Sequence, residues 1–318
     1  MKYLFGVDLG GTNTKIGLLS ADGNILLNKS IKTNSEMGYD DCFNRIAEVI
    51  KKMNIEKKID ENDILGVGIG IPGPVLHQEV VSFLANFPWK KNLNVAKILG
   101  EKTGYRVKVD NDVNVITLGE IWQGSAKGYS NVIGMALGTG IGGGIVVDGK
   151  LVGGFQGAGG EIGHMTIIPN GKLCGCGKKG CFEAYVSATG IEREAESRLT
   201  VNKNNKLWDI ISKKEGQKVE AKDVFDAAKL GDSFSLDIVD YITEYIAYGL
   251  SILLHVTNPE VVVIGGGVAL AGDILFDGIT KKIKKYSLLA CIDDLQILPA
   301  KLGEKAGIIG AAALVVNR

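Results

Sequence analysis

The chain has 318 residues, of which 45% are hydrophobic and 23% charged. This composition is ordinary for a globular protein, and the length leaves room for two domains. Basic and acidic residues both total 36, so the charge gives no sign of a nucleic-acid or membrane-surface partner. No apolar run approaches the roughly 20 residues that a membrane helix needs, and the first strand is too short for a secretory core. We therefore expect a cytoplasmic protein.

The first half of the chain alternates strands and helices, a pattern typical of α/β domains. Asp22-Gly23 lies between two apolar runs, which indicates a hairpin. The predicted elements are strands Tyr3–Leu9, Lys15–Ser20 and Asn24–Ile31, helix Tyr39–Met53, strand Ile64–Ile71, helix Val95–Lys102 and strand Arg106–Val109.

The second half opens in the same way as the first. Leu137-Gly138-Thr139-Gly140 corresponds to Leu9-Gly10-Gly11-Thr12, about 128 residues earlier, which indicates a duplicated α/β unit. The remaining predicted elements are strands Asn131–Leu137, Gly144–Val147 and Lys150–Val152, helices Glu183–Leu199, Leu207–Ser212, Ala221–Lys229 and Ser233–Val256, strand Val261–Ile264, helix Ile274–Lys285, strand Leu295–Leu298 and helix Ala306–Val316.

Three glycine-rich turns follow apolar strands. They contain Gly10-Gly11-Thr12, Gly138-Thr139-Gly140 and Gly265-Gly266-Gly267. Glycine lets backbone N–H groups point at an anion, and the hydroxyl of Thr12 or the ammonium of Lys15 adds donors. Each turn alone is also compatible with a simple tight turn, whereas three together favour phosphate binding.

The absence of several known motifs excludes some classes of nucleotide-binding site. Gly138-x-Gly140-x-x-Gly143 matches a dinucleotide fingerprint as a string, but a strand follows it where the fingerprint needs a helix. The sequence contains no P-loop motif and no His-Arg-Asp or Asp-Phe-Gly kinase signature. A pair of hairpins that clasp a triphosphate remains.

Two aspartates follow or end predicted strands. Asp8 ends the first strand, where a carboxylate suits Mg²⁺ bound together with substrate phosphates; a capping aspartate is the alternative. Asp112 follows Asn111 at another strand end and is a candidate general base, although Asn-Asp alone is more often a turn.

Three of the five cysteines fall within eight residues, at Cys174, Cys176 and Cys181. With His164 they form a Cys₃His set, which can complete a tetrahedral zinc site. Glu161 and Glu183 bracket this set, so a fixed loop could hold two carboxylates towards a polar ligand. Cys42 and Cys291 stand alone, and we expect them to be buried, inert thiols.

Together these residues resemble the ROK family (repressors, open reading frames, sugar kinases), and within it the bacterial glucokinases. The resemblance covers essentially the whole chain. Its motifs are Asp8-Leu9-Gly10-Gly11-Thr12, Gly70-Ile71-Pro72-Gly73-Pro74, Asn111-Asp112-Val113-Asn114, Leu137 to Gly144, Gly159-Gly160-Glu161-Ile162-Gly163-His164, the cysteine loop, Ile264-Gly265-Gly266-Gly267-Val268 and Ala306-Gly307-x-x-Gly310-Ala311-Ala312.

The resemblance implies an actin-like ATPase fold, a duplicated ribonuclease H-like fold with two α/β domains around a cleft for nucleotide and sugar. We expect a small domain over residues 1–115, to which a C-terminal helix near 305–318 returns, and a large domain over 116–304. The family also implies a homodimer or homotetramer.

The resemblance also implies a role for each motif residue. Asp112 would be the catalytic base on the 6-hydroxyl of a hexose, and Asp8 would hold Mg²⁺ with ATP, directly or through water. The sugar contacts implied are Gly73, Asn86, Asn111, Asp112, Glu161, His164 and Glu183. The nucleotide and phosphate contacts implied are Asp8, Gly10, Gly11, Thr12, Lys15, Gly138, Thr139, Gly140, Gly266 and Gly267. Zinc on His164, Cys174, Cys176 and Cys181 would be structural.

We therefore expect an ATP-dependent sugar kinase of carbohydrate metabolism that converts glucose to glucose 6-phosphate in glycolysis. N-acetylmannosamine, N-acetylglucosamine, fructose and allose are rival substrates, and ADP or polyphosphate are rival donors. Many relatives carry a glycine before Trp89, where this chain has Phe87-Pro88, so fine sugar selectivity stays open. A sugar-responsive repressor is disfavoured because no helix-turn-helix precedes Asp8, and a zinc hydrolase is disfavoured because four protein ligands leave no open position for water.

Overall fold

A computed structural model describes residues 1–316 of the chain. The chain divides into two compact units. The first consists of residues 1–134, 144–160 and those from residue 300 onwards, and the second consists of residues 135–143 and 161–299. The sequence-based division at residue 115 stays a prediction.

The first part of the chain builds three-stranded and five-stranded sheets with three helices. Its elements are β1 (Tyr3–Leu9), β2 (Asn13–Ser20), β3 (Ile25–Lys32), α1 (Tyr39–Lys57), β4 (Ile64–Ile71), β5 (Val75–Leu76), β6 (Val80–Val81), β7 (Leu93–Asn94), α2 (Val95–Thr103), β8 (Val107–Asn111) and α3 (Asp112–Gln123).

The rest of the chain is richer in helix. Its elements are β9 (Val132–Leu137), β10 (Ile141–Val147), β11 (Lys150–Leu151), α4 (Glu183–Val186), α5 (Ala188–Leu199), α6 (Lys206–Ile211), α7 (Ala221–Lys229), α8 (Ser233–Thr257), β12 (Val261–Gly265), α9 (Asp273–Tyr286), β13 (Gln296–Pro299) and α10 (Ala306–Ala313).

The first sheet brings three strand ends to one edge. Its strand order is β3-β2-β1-β4-β8, and β1 with β4 and β4 with β8 pair in parallel. Asp8 lies near the end of β1, Gly73 follows β4 and Asp112 follows β8. Since the carboxyl ends of parallel strands meet at the same edge, the topology gathers three site residues that are far apart in the sequence.

Helices cover both faces of this sheet. α1 and α2 pack on one face, where Phe5, Phe43 and Ile69 are fully buried. α10 packs on the other face, where Leu4 and Ile308 are buried. Burial of each such side chain stabilises the fold by roughly 1.5–3 kcal/mol. The edge that carries Asp8, Gly73 and Asp112 therefore belongs to a sheet that is packed on both faces.

α10 approaches its neighbours closely because glycines face it. A Cβ on Gly68 of β4 would lie 1.7 Å from the carbonyl oxygen of Ala311, and one on Gly310 would lie 1.6 Å from that of Val115 in α3. No side chain fits at such distances. Backbone therefore packs on backbone where α10 contacts α3, the helix that begins at Asp112.

The second sheet repeats the order of the first. Its strands are arranged β11-β10-β9-β12-β13, and β12 and β13 pair in parallel as β4 and β8 do. In each sheet the third, second and first strands in chain order are followed by the fourth and fifth. This common order is what the prediction of a duplicated α/β unit requires.

Some elements differ from those expected. The helix expected over residues 183–199 is two helices, because Ser187 has an extended backbone and its hydroxyl caps α5 by accepting from the Gly190 N–H at 3.1 Å. The short strands β5 to β7 were not expected, since their segment lacks a periodic apolar pattern. Cys42 is buried, whereas Cys291 is only partly buried, so the expectation of burial was wrong for Cys291.

The C-terminal helix begins at Ala306, as expected, and α10 ends at Ala313. Residues 317–318 of that expected helix lie outside the described residues. Among residues 1–316, no helix is both long enough and apolar enough to cross a bilayer.

Candidate active site

Asp112 is the first residue of α3, and its position is set by a cap. Asn111 Oδ1 accepts hydrogen bonds from the backbone N–H groups of Val113 at 2.9 Å and Asn114 at 3.3 Å, as an N-cap residue does. Asp112 Oδ1 itself accepts from the Val113 N–H at 2.9 Å. A carboxylate is stabilised at this end of a helix by the peptide dipoles, so the turn favours an ionised Asp112.

Asn111 also holds the loop after β4. Its Nδ2 donates to the carbonyl oxygen of Gly73 at 3.3 Å. Gly73 has a φ of 107°, and a Cβ there would lie 2.3 Å from the Phe83 carbonyl oxygen, so only glycine fits. The structure therefore brings Gly73, Asn111 and Asp112 together, while Asn86 lies exposed in a separate turn.

Two carboxyl groups at this edge of the first sheet, those of Asp8 and Asp112, have shifted pKa values. Burial raises the pKa of Asp112, and the Val113 N–H opposes that effect. Burial also raises the pKa of Asp8, which the Lys15 ammonium lowers and the charge of Asp112 raises further. The two carboxylates therefore repel one another, and a cation near Asp8 would reduce this repulsion.

The first glycine turn is exposed and hydrogen-bonded at its base. The Gly10 N–H donates to the Asn13 carbonyl oxygen at 3.1 Å, and the Thr33 hydroxyl donates to the Gly10 carbonyl oxygen at 2.7 Å. Gly11 and Thr12 are exposed at the tip, which leaves their polar groups accessible to an anion.

Lys15 lies opposite Asp8 across the β1–β2 pair. Its Nζ lies 3.2 Å from Glu304 Oε2, in a pair whose Glu304 side chain is 91% exposed. No sequence signal pointed to this partner, since Glu304 is 289 residues away. An exposed pair of this kind is weak, so Lys15 remains available to a phosphate.

The second glycine turn is fixed to the start of α5. The Gly138 N–H donates to the Gly140 carbonyl oxygen at 3.0 Å, and the Ala188 N–H donates to the Gly138 carbonyl oxygen at 2.8 Å. The Thr189 hydroxyl donates to the Thr139 carbonyl oxygen at 3.0 Å. With its carbonyl groups bound in this way, the turn keeps a defined shape.

A cavity of about 550 Å³ adjoins this turn. It is lined by Gly138, Thr139 and Gly267, three of the residues assigned to nucleotide, and Gly266 next to it has a φ of 88°. The volume is in the range of small-molecule sites. Sequence reasoning missed the other lining residues, which are Ala188, Glu192, Glu220, Ala221, Lys222, Phe225, Asp226, Lys229, Val268, Leu270 and Ala271.

The predicted metal ligands form one cluster. One ligand atom from each of His164, Cys174, Cys176 and Cys181 lies within 4.8 Å of all the others. The Cys176 and Cys181 sulfurs are 3.7 Å apart, and Cys174 Sγ is 3.8 Å from His164 Nδ1. A tetrahedral zinc site with Zn–S bonds of about 2.3 Å has sulfurs about 3.8 Å apart, so the donor set fits the ion.

Glu183 contacts both the group of predicted metal ligands and the second glycine turn. Its Oε1 lies 3.5 Å from Cys174 Sγ, and its Oε2 accepts from the Ile141 N–H at 2.9 Å. Glu161 is exposed at the start of the short helix that carries His164. One carboxylate of the bracketing pair is thus bound within its unit, while the other is accessible.

Comparisons with known proteins place the whole chain in one family. The family model described as "ROK family" matches residues 4–318. The chain belongs to the ROK family. It is 39% identical over 316 residues to a protein named glucokinase from Thermotoga maritima, covering 99% of this chain and 98% of that protein.

Solved structures show the fold. A ROK hexokinase from Thermus thermophilus is 31% identical, with a TM-score of 0.82 over 98% of this chain and 97% of that one. A ROK family glucokinase from Streptomyces griseus, in complex with glucose and AMPPNP, is 30% identical, with a TM-score of 0.77 over 98% of both chains. The chain has the actin-like ATPase fold of these sugar kinases, as the sequence predicted.

Proposed function

We propose that the chain is a glucokinase, which transfers the terminal phosphoryl group of ATP to the 6-hydroxyl of glucose. The similarity to glucokinases extends over the full length of the chain. The observation that carries the chemistry is Asp112, a partly buried carboxylate fixed by an Asn111 cap at a strand end. The other hexoses and the repressor are not favoured.

Asp112 acts as the general base. Its carboxylate accepts the proton of the 6-hydroxyl as the oxygen attacks the phosphorus, and the bond to the leaving ADP oxygen breaks. Burial raises the pKa of Asp112, which brings the base closer to the working pH and strengthens it. Phosphoryl transfer depends mainly on positioning and on neutralisation of charge, so a fixed base suits it.

Hexose contacts are proposed on each unit. On the first they are Gly73, Asn86, Asn111 and Asp112, and on the second they are Glu161, His164 and Glu183. Sugar hydroxyls both donate and accept, so carboxylates accept from them while amide and imidazole N–H groups donate. Loss of one such partner should cost on the order of 1–3 kcal/mol, because a buried polar group is left unpaired.

The two glycine turns are proposed to bind phosphates. The backbone N–H groups of Gly11 and Gly140, with Thr12 and Lys15, donate to phosphate oxygens. Gly10 shapes the first turn, because its own N–H donates to the Asn13 carbonyl oxygen. The cavity beside Gly138, Thr139 and Gly267 takes the adenosine moiety, with Gly266 close by. Asp8 is the residue that would hold Mg²⁺ accompanying ATP, and the ion would supply charge neutralisation.

The Cys₃His cluster is proposed to hold a structural zinc ion through His164, Cys174, Cys176 and Cys181. Burial raises the pKa of the Cys174 thiol to about 12, so thiolate ligation there needs a cation. His164 and Glu183 are thereby fixed with the loop. We also propose a cytoplasmic enzyme that assembles as a homodimer or homotetramer.

The test is ADP release by purified chain, measured with a coupled assay on a panel of hexoses. We expect the highest kcat/KM with glucose, and lower values with fructose, allose, N-acetylglucosamine and N-acetylmannosamine. ATP should serve as donor, and formation of the sugar phosphate measures ADP and polyphosphate as comparison donors, since neither of them releases ADP. Absence of sugar-dependent ADP release with every hexose would overturn the proposal.

A further inference from the structure

Asp110 is a partly buried residue of β8, one residue before Asn111 and two before Asp112. Its Oδ1 accepts from the Asn111 backbone N–H at 2.8 Å and from Asn114 Nδ2 at 2.8 Å. The Gln78 side chain also donates to this carboxyl group. Every partner is a donor, so the position requires an oxygen that accepts.

Asn114 is held from two sides. Its side chain, which is 3% exposed, binds Asp110, while its backbone N–H binds Asn111 Oδ1. Asn114 is the third residue of α3, and Asp112 is the first. Asp110 and Asn111 together therefore fix the backbone of the turn that carries Asp112.

The hairpin between β5 and β6 supports the same contact. His77 and Gln78 both have left-handed backbones, with φ of 54° and 56°, which costs residues other than glycine roughly 1–2 kcal/mol each. The Gln78 carbonyl oxygen accepts from the Val109 N–H at 2.8 Å. This strained turn thus places Gln78 against the end of β8, where its side chain reaches Asp110.

We propose that Asp110 is a positioning residue for Asp112, which orients the first turn of α3 through the Asn111 N–H and the Asn114 amide. The inference rests on the proposed function. The rate of the reaction depends strongly on the position of the base, since a misplacement of about 1 Å can lower the rate about 100-fold. Asp110 touches neither substrate in this account and acts through its neighbours.

The test compares four variants with the wild-type chain, using glucose and ATP. Asp110→Ala should lower kcat about 10–100-fold and change the KM for ATP less than about twofold. Asp110→Asn should keep kcat within about threefold, because its Oδ1 can accept both hydrogen bonds. Asn114→Ala should resemble Asp110→Ala, and the double variant should be no worse than either, since both remove one contact.

Asn94→Ala is the matched control. Asn94 caps α2 in the same unit by accepting from the Lys97 N–H at 2.9 Å, so its loss removes a comparable contact away from Asp112. Its kcat should stay within about twofold at a similar loss in Tm. The acid limb of the pH profile should persist in Asp110→Asn.

Several results would overturn the positioning role. These are an unchanged kcat in Asp110→Ala, equal losses in Asp110→Asn and Asp110→Ala, an additive double variant, an equal loss in Asn94→Ala, or loss of the acid limb in Asp110→Asn. If Asp110→Ala does not fold, Asn114→Ala and Asp110→Asn still decide. A wild-type chain without kinase activity would overturn the proposed function together with this role, whereas an active wild type with an unaffected Asp110→Ala would overturn only this role.

Discussion

The two acid-bearing regions of the molecule are stabilised in different ways. In the first unit, Asp112 lies in a turn whose polar groups bind one another, through Asn111 and Asn114. In the second unit, Glu161 and Glu183 flank a loop whose four best donors, three thiols and an imidazole, converge on one another. Such a convergence of donors suits a cation, which the proposed zinc ion would supply.

The difference shows which region is preorganised by the polypeptide alone. The Asp112 turn needs only the chain, so we expect it to survive the removal of metal. The cysteine loop has few packed apolar side chains of its own, and Cys176 is exposed, so we expect its shape to depend on the ion. Catalytic geometry and sugar affinity should therefore fail independently of each other.

The largest expected effect is on turnover. Asp112→Ala should lower kcat by about 10²–10⁴-fold, the usual contribution of a general base. Glucose affinity should fall only about fivefold, the low end of the loss expected for one hexose contact (about 1 kcal/mol), because the other contacts remain. Rapid-quench kinetics and calorimetric titration with glucose measure the two quantities. Asp63→Ala, an exposed acid of the same unit, is the control. Parallel losses of kcat and affinity in Asp112→Ala would argue against a base.

The next effect concerns metal. Cys181→Ala should lower the zinc content well below one ion per chain, lower Tm and raise the KM for glucose about 10–100-fold, the usual cost of disturbing groups around a metal. Elemental analysis, thermal melts and steady-state kinetics check this. Cys291→Ala is the matched control because Cys291 lies outside the cluster in the same unit. Full zinc content with an unchanged melt in Cys181→Ala would contradict a structural metal.

A third change disturbs the support of the Asp112 turn. Gly310→Ala should destabilise the first unit by about 1–3 kcal/mol or more, because a Cβ would lie 1.6 Å from the Val115 carbonyl oxygen. Chemical denaturation measures the free energy of unfolding. Gly153→Ala, where a Cβ meets nothing within 4 Å, should be nearly neutral. Zinc content should not change, and if it falls, the two regions are not independent.

The smallest effect is electrostatic. Burial raises the folded-state pKa of Asp112, so its stabilising contribution is complete below the unfolded pKa and is lost as pH rises through the folded pKa. Asp112→Asn should therefore raise Tm at pH 7, and the gain should shrink towards pH 4. Activity of the wild type should fall on the acid side as Asp112 gains a proton, with Asp8 as a charged neighbour.

The pKa of Asp63 is shifted in the opposite direction to that of Asp112. A hydrogen bond from Lys2 lowers the pKa of Asp63, so its contribution is present above the unfolded pKa and is lost as pH falls through the folded pKa. Asp63→Asn should not raise Tm at pH 7. An equal gain in Tm for both variants would show that burial of Asp112 is not the cause.

Part of the candidate site could be predicted because its residues stand in local motifs. Asp112 follows a strand, the glycine turns follow strands and the cysteines cluster in sequence, so spacing alone indicated a candidate base, phosphate-binding turns and zinc ligands. The hexose contacts came from the resemblance to the ROK family and stay predictions. The lining of the cavity beside Gly138 was not predictable. Phe225 and Leu270 are simply apolar residues in their helices, and only the tertiary fold brings them beside Gly138. Asp110 was missed for a related reason, since a strand residue gives no sign of its hydrogen-bond partners.

NMR analysis of the product formed from carbon-13 glucose and ATP tests most directly whether the chain phosphorylates the 6-hydroxyl of glucose with Asp112 as the base. We expect the wild-type chain to form one glucose 6-phosphate for each ADP, and Asp112→Asn to form it at least about 100-fold more slowly, although that variant still binds glucose. A phosphate on another oxygen, ADP release without sugar phosphate, or undiminished product from Asp112→Asn would contradict the role of Asp112 in 6-phosphorylation.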